Sequence, residues 1–208
     1  MRKQINLIAL FDREKGDELG IIRMASVNAR AALWKRKNTS MNFEQKINYI
    51  ERENFVRFTN CHAFADISSE LKMFLQETGF YSDKMAYPYF TATGTLQSVS
   101  PKIIELASNR IGRKLCIDLN NNERLVVFNP QDGEVTVVNS NLKNYIECLY
   151  AMRYFSEEIE GEDVFGDYDT NAKKYARKLL ELFNVIEGDI RSFPLWYIQV
   201  HEREIGTL

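Results

Sequence analysis

Apolar residues recur every three or four positions in several parts of the chain, a spacing that is typical of amphipathic helices. We expect a helix over residues 42–53 and a second one that Ser68 or Ser69 caps and Gly79 ends. Residues 26–36 are also more helical than strand-like. The first third of the chain is therefore expected to contain helices that bury one face.

The second half of the chain predicts three further helices. One begins shortly before Leu142, one is capped by Thr170, and one has Pro194 in its first turn. The apolar face expected for the Thr170 helix consists of Ala172, Tyr175, Ala176, Leu179, Leu180 and Phe183. Each of these helices has one side that needs a partner to pack against.

Alternating apolar and polar residues predict strands between these helices. Residues 115–119, 125–128 and 135–138 alternate or are β-branched, and the turn sequences NNNE and NPQDG separate them, which predicts a three-stranded antiparallel meander. Residues 80–101 are expected to be irregular, with at most one short strand near 89–93, because prolines interrupt them. Residues 5–11 and 20–24 are also strand-like.

The sequence VNSN joins the last meander strand to a helix. After Val138 the apolar period changes from two to 3.6 residues. Asn139 or Ser140 is expected to accept a hydrogen bond from the first free N–H groups of that helix. The polar break is thus predicted to be a corner between sheet and helix.

Composition narrows the possible partners and locations. The 208 residues carry a formal net charge of −2, which argues against non-specific attraction to nucleic acid or to an anionic membrane. No run approaches the roughly 18 apolar residues of a membrane span. The three cysteines are far apart and odd in number, so a disulfide framework is not implied. A cytoplasmic location is the expectation, and the short apolar run near the N-terminus lacks the cleavage site of a signal peptide.

Candidate chemistry is sparse, and we expect no catalytic residue, no metal and no cofactor. The phosphate-binding, dinucleotide-binding, nucleophile-elbow and zinc-protease motifs are absent from the sequence. Cys61 and His62 are adjacent, and in a strand they would point to opposite faces. His201 lies beside carboxylates without further ligands, and the calcium-loop pattern that starts at Asp167 fails at its sixth and twelfth positions. A small hydrolase that uses Cys148 or scattered carboxylates is the enzymatic alternative.

The most unusual charge pattern is acidic. Residues 157–169 contain seven carboxylates and no Lys or Arg, together with two glycines, which is typical of a solvated, mobile loop. Such a loop complements a basic protein partner and speeds its capture. The residues predicted to bind a partner are Glu157, Glu158, Glu160, Glu162, Asp163, Asp167 and Asp169.

The order of short motifs along residues 55–206 resembles the SMI1/KNR4-like superfamily, also called SUKH, and within it the SUKH-4 group of bacterial immunity proteins. The motifs are a helix that ends in Leu and Gly, an Ile-Gly step, a strand with Cys-Ile-Asp, an Asn-Ser corner and a following helix. The matching positions are Phe74, Leu75, Gly79, Ile111, Gly112, Cys116, Ile117, Asp118, Asn139, Ser140, Leu142, Tyr145 and Leu149, with a closing pattern of Trp196, Glu202 and Gly206. Two departures are the missing proline after Gly79 and Asn141 in place of a second serine.

The resemblance implies an α+β fold with a mainly antiparallel sheet, in which a central three-stranded meander and flanking strands carry helices packed on them. It implies an SMI1/KNR4-like domain over residues 55–208, with residues 1–54 as an N-terminal extension packed on it. The implied function is non-enzymatic: binding and neutralising a cognate toxin or effector protein, with a nuclease as one kind of target, and with no nucleic acid or membrane as partner. An intracellular scaffold or regulatory protein-binding module of the same superfamily is the alternative.

Overall fold

The structure, a computed structural model, describes residues 41–83, 88–160 and 168–205. Its strands are β1 (Phe55–Val56), β2 (Phe80–Tyr81), β3 (Thr91–Ser100), β4 (Ile103–Ser108), β5 (Lys114–Asp118), β6 (Arg124–Phe128) and β7 (Val135–Asn139). Its α-helices are α1 (Phe43–Tyr49), α2 (Ser69–Glu77), α3 (Leu142–Tyr154), α4 (Tyr168–Glu187) and α5 (Pro194–Glu204). The expected α+β class is therefore confirmed for these ranges. The strand-like and helical segments predicted within residues 1–40 lie outside them.

The main sheet is antiparallel, and each of its five strands, β3 to β7, pairs with the next one in sequence. The predicted meander is confirmed as β5, β6 and β7. The prediction for residues 80–101 was wrong, because β2 and the ten-residue strand β3 together occupy 12 of these 22 residues. Ala92, Gly94 and Leu96 are buried and alternate with exposed Thr93 and Thr95, so small and polar residues hid a regular strand pattern.

A second, two-stranded sheet is formed by β1 and β2. Gly79 lies between α2 and β2 and has a φ of +92°, which confirms the predicted end of the helix. A Cβ atom at this position would lie 2.4 Å from the carbonyl oxygen of Val56. Only glycine allows the chain to pass this close to β1, so Gly79 sets how α2 meets the small sheet.

The helix predictions hold with corrections at the helix ends. Helix α1 ends at Tyr49, before residue 53 where it was predicted to end, and residues Arg52–Asn54 form a 3₁₀ turn. Ser68 caps α2 by accepting a hydrogen bond from the N–H of Leu71. The cap of α3 is Asn141, which accepts from the N–H of Asn144, and neither of the two predicted residues, Asn139 and Ser140, serves as this cap. The Thr170 prediction was also wrong, since α4 already includes Tyr168. Pro194 occupies the first turn of α5 as expected.

The core lies between the main sheet and the helices. Tyr145, Ile146 and Tyr150 of α3, Phe183 of α4 and Trp196 of α5 are all buried. These helices contact one another, and both α3 and α5 contact β7. The predicted apolar face of α4 is confirmed with one difference. Leu180, which was predicted to belong to it, is only partly buried, whereas Leu182 is buried.

Residues 41–54, the described part of the predicted N-terminal extension, add to the same core. Ile47 and Ile50 of the α1 region are almost completely buried. Helix α1 contacts α3, so this segment packs directly on the helical layer. None of the helices in the described ranges has the length and apolarity that crossing a membrane requires.

Candidate protein-binding surface

The VNSN corner is part of a polar network that reaches into the core. The indole Nε1 of Trp196 donates a hydrogen bond to Oδ1 of Asn139 at 2.8 Å, and Nδ2 of Asn139 donates to the Glu187 carboxylate at 2.6 Å. The hydroxyl of Ser140 donates to the same carboxylate at 2.8 Å. Asn139 is fully buried, so this network fastens the end of β7 to α4 and α5.

Three residues of α1 meet residues of α3 in the same chain order, so the two helices run side by side in the same direction. The Lys143 ammonium lies over the Phe43 ring, 5.8 Å from its centroid. One turn further, Lys46 Nζ is 2.6 Å from the Glu147 carboxylate. The ring of Tyr49 then contacts the end of α3. The acidic residues that follow α3 therefore lie beside the C-terminal end of α1.

A π-helix, Phe155–Glu160, continues α3 into the acidic segment. The prediction of a loop is therefore wrong for residues 157–160, which are helical. Phe155 anchors the π-helix because it is fully buried, with its ring 6.2 Å from that of Tyr175 and the Arg203 guanidinium 5.4 Å from its centroid. Turns of π-helix are rare and are often found at functional sites.

Glu157 and Glu158 are exposed on this π-helix. Glu157 accepts hydrogen bonds from Arg153 Nε at 2.6 Å and from the Tyr49 hydroxyl at 3.0 Å. Arg153 also donates through Nη2 to Glu51 at 2.5 Å. The arginine is therefore shared between two carboxylates and fixes their separation.

The small sheet adds a further carboxylate to this region. The Tyr81 hydroxyl donates to Asp83 at 3.2 Å, and Asn54 donates to Glu51 at 3.0 Å. We call the set Tyr49, Glu51, Tyr81, Asp83, Arg153, Glu157 and Glu158 the acidic surface. Its four carboxylates and one guanidinium give it a formal charge of −3.

Burial and charge keep the tyrosine hydroxyls of the acidic surface protonated. Burial, followed by the hydrogen bond to Glu157, raises the pKa of Tyr49. Burial, followed by the charge of Asp83, raises the pKa of Tyr81 to about 12. The hydrogen bond from Arg153 lowers the pKa of Glu51. At neutral pH both tyrosine hydroxyls therefore stay protonated and donate to Glu157 and Asp83.

Arg153→Gln is expected to raise the pKa of Glu51 toward its ordinary value of about 4.3. A carboxylate whose pKa is lowered in the folded state stabilises that state above the unfolded pKa, and this contribution is lost as pH falls through the folded pKa. The stability contributed by Glu51 at neutral pH should therefore shrink in the variant. A ¹³C NMR titration of the side-chain carboxyl measures this pKa. Lys102→Met, which removes the cation of an exposed pair with Asp66, is the control. An unchanged Glu51 titration in Arg153→Gln would contradict the assignment.

The predicted partner-binding residues are only partly described. Glu160 is the last residue of the π-helix, and Asp169 is in the first turn of α4. Glu162, Asp163 and Asp167 lie outside the described ranges. The sequence interpretation missed the contributions of α1 and the small sheet, for which the local pattern gives no signal. The spacing of four between Arg153 and Glu157 signals only the ion pair between α3 and the π-helix.

The candidate catalytic groups lie apart. Cys61 is buried in a 3₁₀ turn while His62 is exposed, so they do not form a nucleophile and base pair. Cys148 is fully buried, and burial raises the pKa of its thiol well above the ordinary value. His201 Nδ1 is 4.0 Å from Glu204 on the outside of α5. No group of three or more His, Cys, Asp or Glu in the described ranges is placed to hold a metal ion.

Comparison with known proteins gives no relative: the chain matches no protein-family profile, no curated protein and no solved structure.

Proposed function

We propose that the protein is an immunity protein that binds a cognate bacterial polymorphic toxin and neutralises it without enzymatic chemistry. The observation that carries the proposal is the acidic surface, where Arg153 holds Glu51 and Glu157, and the tyrosine hydroxyls donate to Glu157 and Asp83. A negative potential of this kind steers a basic partner and speeds its capture. The Tyr49 ring is partly exposed beside Glu157, and tyrosine is enriched at protein interfaces.

The order of motifs supports an SMI1/KNR4-like assignment of the domain as part of this proposal. The residues quoted for the resemblance, Asn139, Ser140 and Trp196, belong to one hydrogen-bonded network although 57 positions separate the first from the last. The contact between the Asn-Ser motif and the distant Trp196 is easier to explain as a family feature than as a coincidence. The three free, buried cysteines agree with a cytoplasmic site of action, where thiols stay reduced.

The charge of the acidic surface also bears on the kind of toxin. Enzymes that act on nucleic acid bind its phosphates through lysine and arginine. A surface with a formal charge of −3 is complementary to such a site. A nuclease is therefore the toxin class that this surface fits best.

The test is protection followed by measured binding. The protein is expressed together with each product of the genes adjacent to its own, and we expect it to rescue cells from killing by one of them. Glu157→Gln with Glu158→Gln should slow association with that toxin about tenfold in low salt, and the effect should shrink in 500 mM salt because exposed charges are then screened.

A matched control removes the same number of negative charges from other parts of the protein surface. Glu134→Gln with Glu181→Gln also removes two exposed carboxylates, on the β6–β7 turn and on α4, and should leave the association rate unchanged. Protection from none of the adjacent products, with capture of a housekeeping regulator instead, would overturn the immunity proposal in favour of a scaffold. Equal association rates for the two double variants would show that the acidic surface takes no part in binding the toxin.

A further inference from the structure

A groove lies between α1, α2 and the first turn of α3, with a volume of about 570 Å³. Its apolar lining comes from Phe43 of α1, from Leu71, Met73 and Phe74 of α2, and from Leu142 of α3. The rings of Phe43 and Phe74 are 5.9 Å apart and form the centre of this lining. A groove of this size holds several side chains of a bound peptide.

Helix α2 presents a complete stripe to this groove. Glu70, Met73, Phe74 and Glu77 are spaced by three, four and seven residues, so they share one helix face. Met73 is 55% exposed, whereas Leu71 and Leu75 make the core contacts of the helix. Met73 extends the apolar lining of the groove to the surface between two carboxylates, and an apolar patch with a polar rim marks an interaction site.

The rim of the groove is acidic. Glu70, Glu77 and Glu123 line it together with a single cation, Lys143, which gives a formal charge of −2. Glu123 is fixed there because its carboxylate accepts hydrogen bonds from the backbone N–H and the hydroxyl of Ser68. An apolar floor between carboxylates is complementary to an apolar stripe flanked by lysine or arginine.

We infer that this groove binds an amphipathic helical segment of a protein partner, with apolar side chains at helical spacing and basic residues beside them. Such a segment places its apolar face on the Phe43 and Phe74 rings and its basic residues beside Glu70 and Glu77. Met73 suits this role, because its unbranched side chain adapts to different partner side chains. The groove lies at the N-terminal end of α3 and the acidic surface at its C-terminal end, so these are separate sites.

The inference is tested with a defined peptide, so it does not depend on the proposed toxin. The probe is an 18-residue peptide of leucine and lysine with leucines at helical spacing. Two further peptides are a scrambled sequence of the same composition and a version with glutamate in place of lysine. The full-length protein carries ¹³C-methyl methionine, which reports on Met73 in the groove and on Met152, on the far end of α3.

We expect the leucine-lysine helix to bind and to shift the Met73 methyl resonance while that of Met152 stays in place. Met73→Asp should weaken binding at least tenfold, and Glu70→Gln with Glu77→Gln about threefold to tenfold. Met73→Ala, which is a milder change in an exposed helix position, should weaken it less. Ile111→Asp is the matched control, because Ile111 is 70% exposed in the β4–β5 turn, and it should bind like the unchanged protein.

Several results would overturn the inference. These are no binding of the leucine-lysine helix, no shift at Met73, equal binding of the scrambled or glutamate peptide, or Met73→Asp that folds and binds like the unchanged protein. Sedimentation of the protein alone provides a further check. A concentration-dependent dimer that Met73→Asp abolishes would assign the groove to a second copy of the chain instead.

Discussion

Lys46→Met is expected to lower the free energy of unfolding by about 3 kcal/mol. Lys46 Nζ and the Glu147 carboxylate are 2.6 Å apart, and their side chains are only 7% and 14% exposed. Methionine fills much of the same volume but leaves the Glu147 charge largely buried without its partner. Breaking one side of a buried pair costs more than the pair contributes, because the remaining ion has lost its hydration. Urea unfolding followed by circular dichroism measures the change.

The double variant Lys46→Met with Glu147→Leu separates this cause from loss of packing. With both charges gone, stability should return to within about 1 kcal/mol of the unchanged protein, since apolar replacements of buried pairs are often neutral. Lys102→Met is the matched control on an exposed pair with Asp66, and it should change stability by less than about 0.5 kcal/mol. A double variant as unstable as Lys46→Met would show that the alkyl chain of Lys46 and its position over the Tyr150 ring matter more.

This ion pair illustrates what the sequence does not disclose. The periodicity of residues 42–53 predicts an amphipathic helix and places Ile47 on its apolar face, and both features are confirmed. Lys46 belongs to the same helix, and the pattern alone predicts that it is a solvated cation. It is buried because Glu147 of α3, 101 positions later, lies beside it. Long-range partners of this kind leave no local signal.

The strands show the same contrast between local signals in the sequence and long-range contacts. The meander β5 to β7 is predictable because β-branched residues alternate between recognisable turn sequences. Strand β3 is not, because its buried positions include Ala92 and Gly94, which carry little apolar surface. Its edge is completed by Asn60, whose amide exchanges hydrogen bonds with the N–H and C=O of Leu96 as a neighbouring strand would. That contact joins residues 36 positions apart and is invisible in the local pattern.

For the acidic surface, composition identifies the charge but not its setting. The run of carboxylates without Lys or Arg is a genuine feature of residues 157–169. The π-helix depends on the buried ring of Phe155, and the order of the Glu157 side chain depends on Tyr49 and Arg153. These contacts place the start of the acidic segment on helical backbone and hold the Glu157 side chain by two hydrogen bonds. Under the proposed function, less conformational entropy is then lost on binding than with a free loop.

Asn139→Ala is expected to destabilise the protein by about 3 kcal/mol. The change removes a hydrogen bond from the Trp196 indole and one to the Glu187 carboxylate, and it leaves the buried Nε1 of Trp196 without an acceptor. An unsatisfied buried donor costs about 1–3 kcal/mol, and a lost bond to a charged group costs about 1.5–3 kcal/mol. Chemical unfolding measures the total. Asn48→Ala, an exposed site on α1, should change stability by less than about 0.5 kcal/mol.

A double-mutant cycle with Trp196→Phe identifies the responsible contact. Phenylalanine has no indole N–H, so the penalty of an orphaned donor is absent when both residues are changed. The double variant should therefore be more stable than the sum of the two single changes predicts, by about 1–2 kcal/mol. Exact additivity would mean that Asn139 acts only through Glu187 and Cys148. The VNSN corner would then fasten β7 to α3 and α4 only, and α5 would be held by the packing of Trp196 in the core.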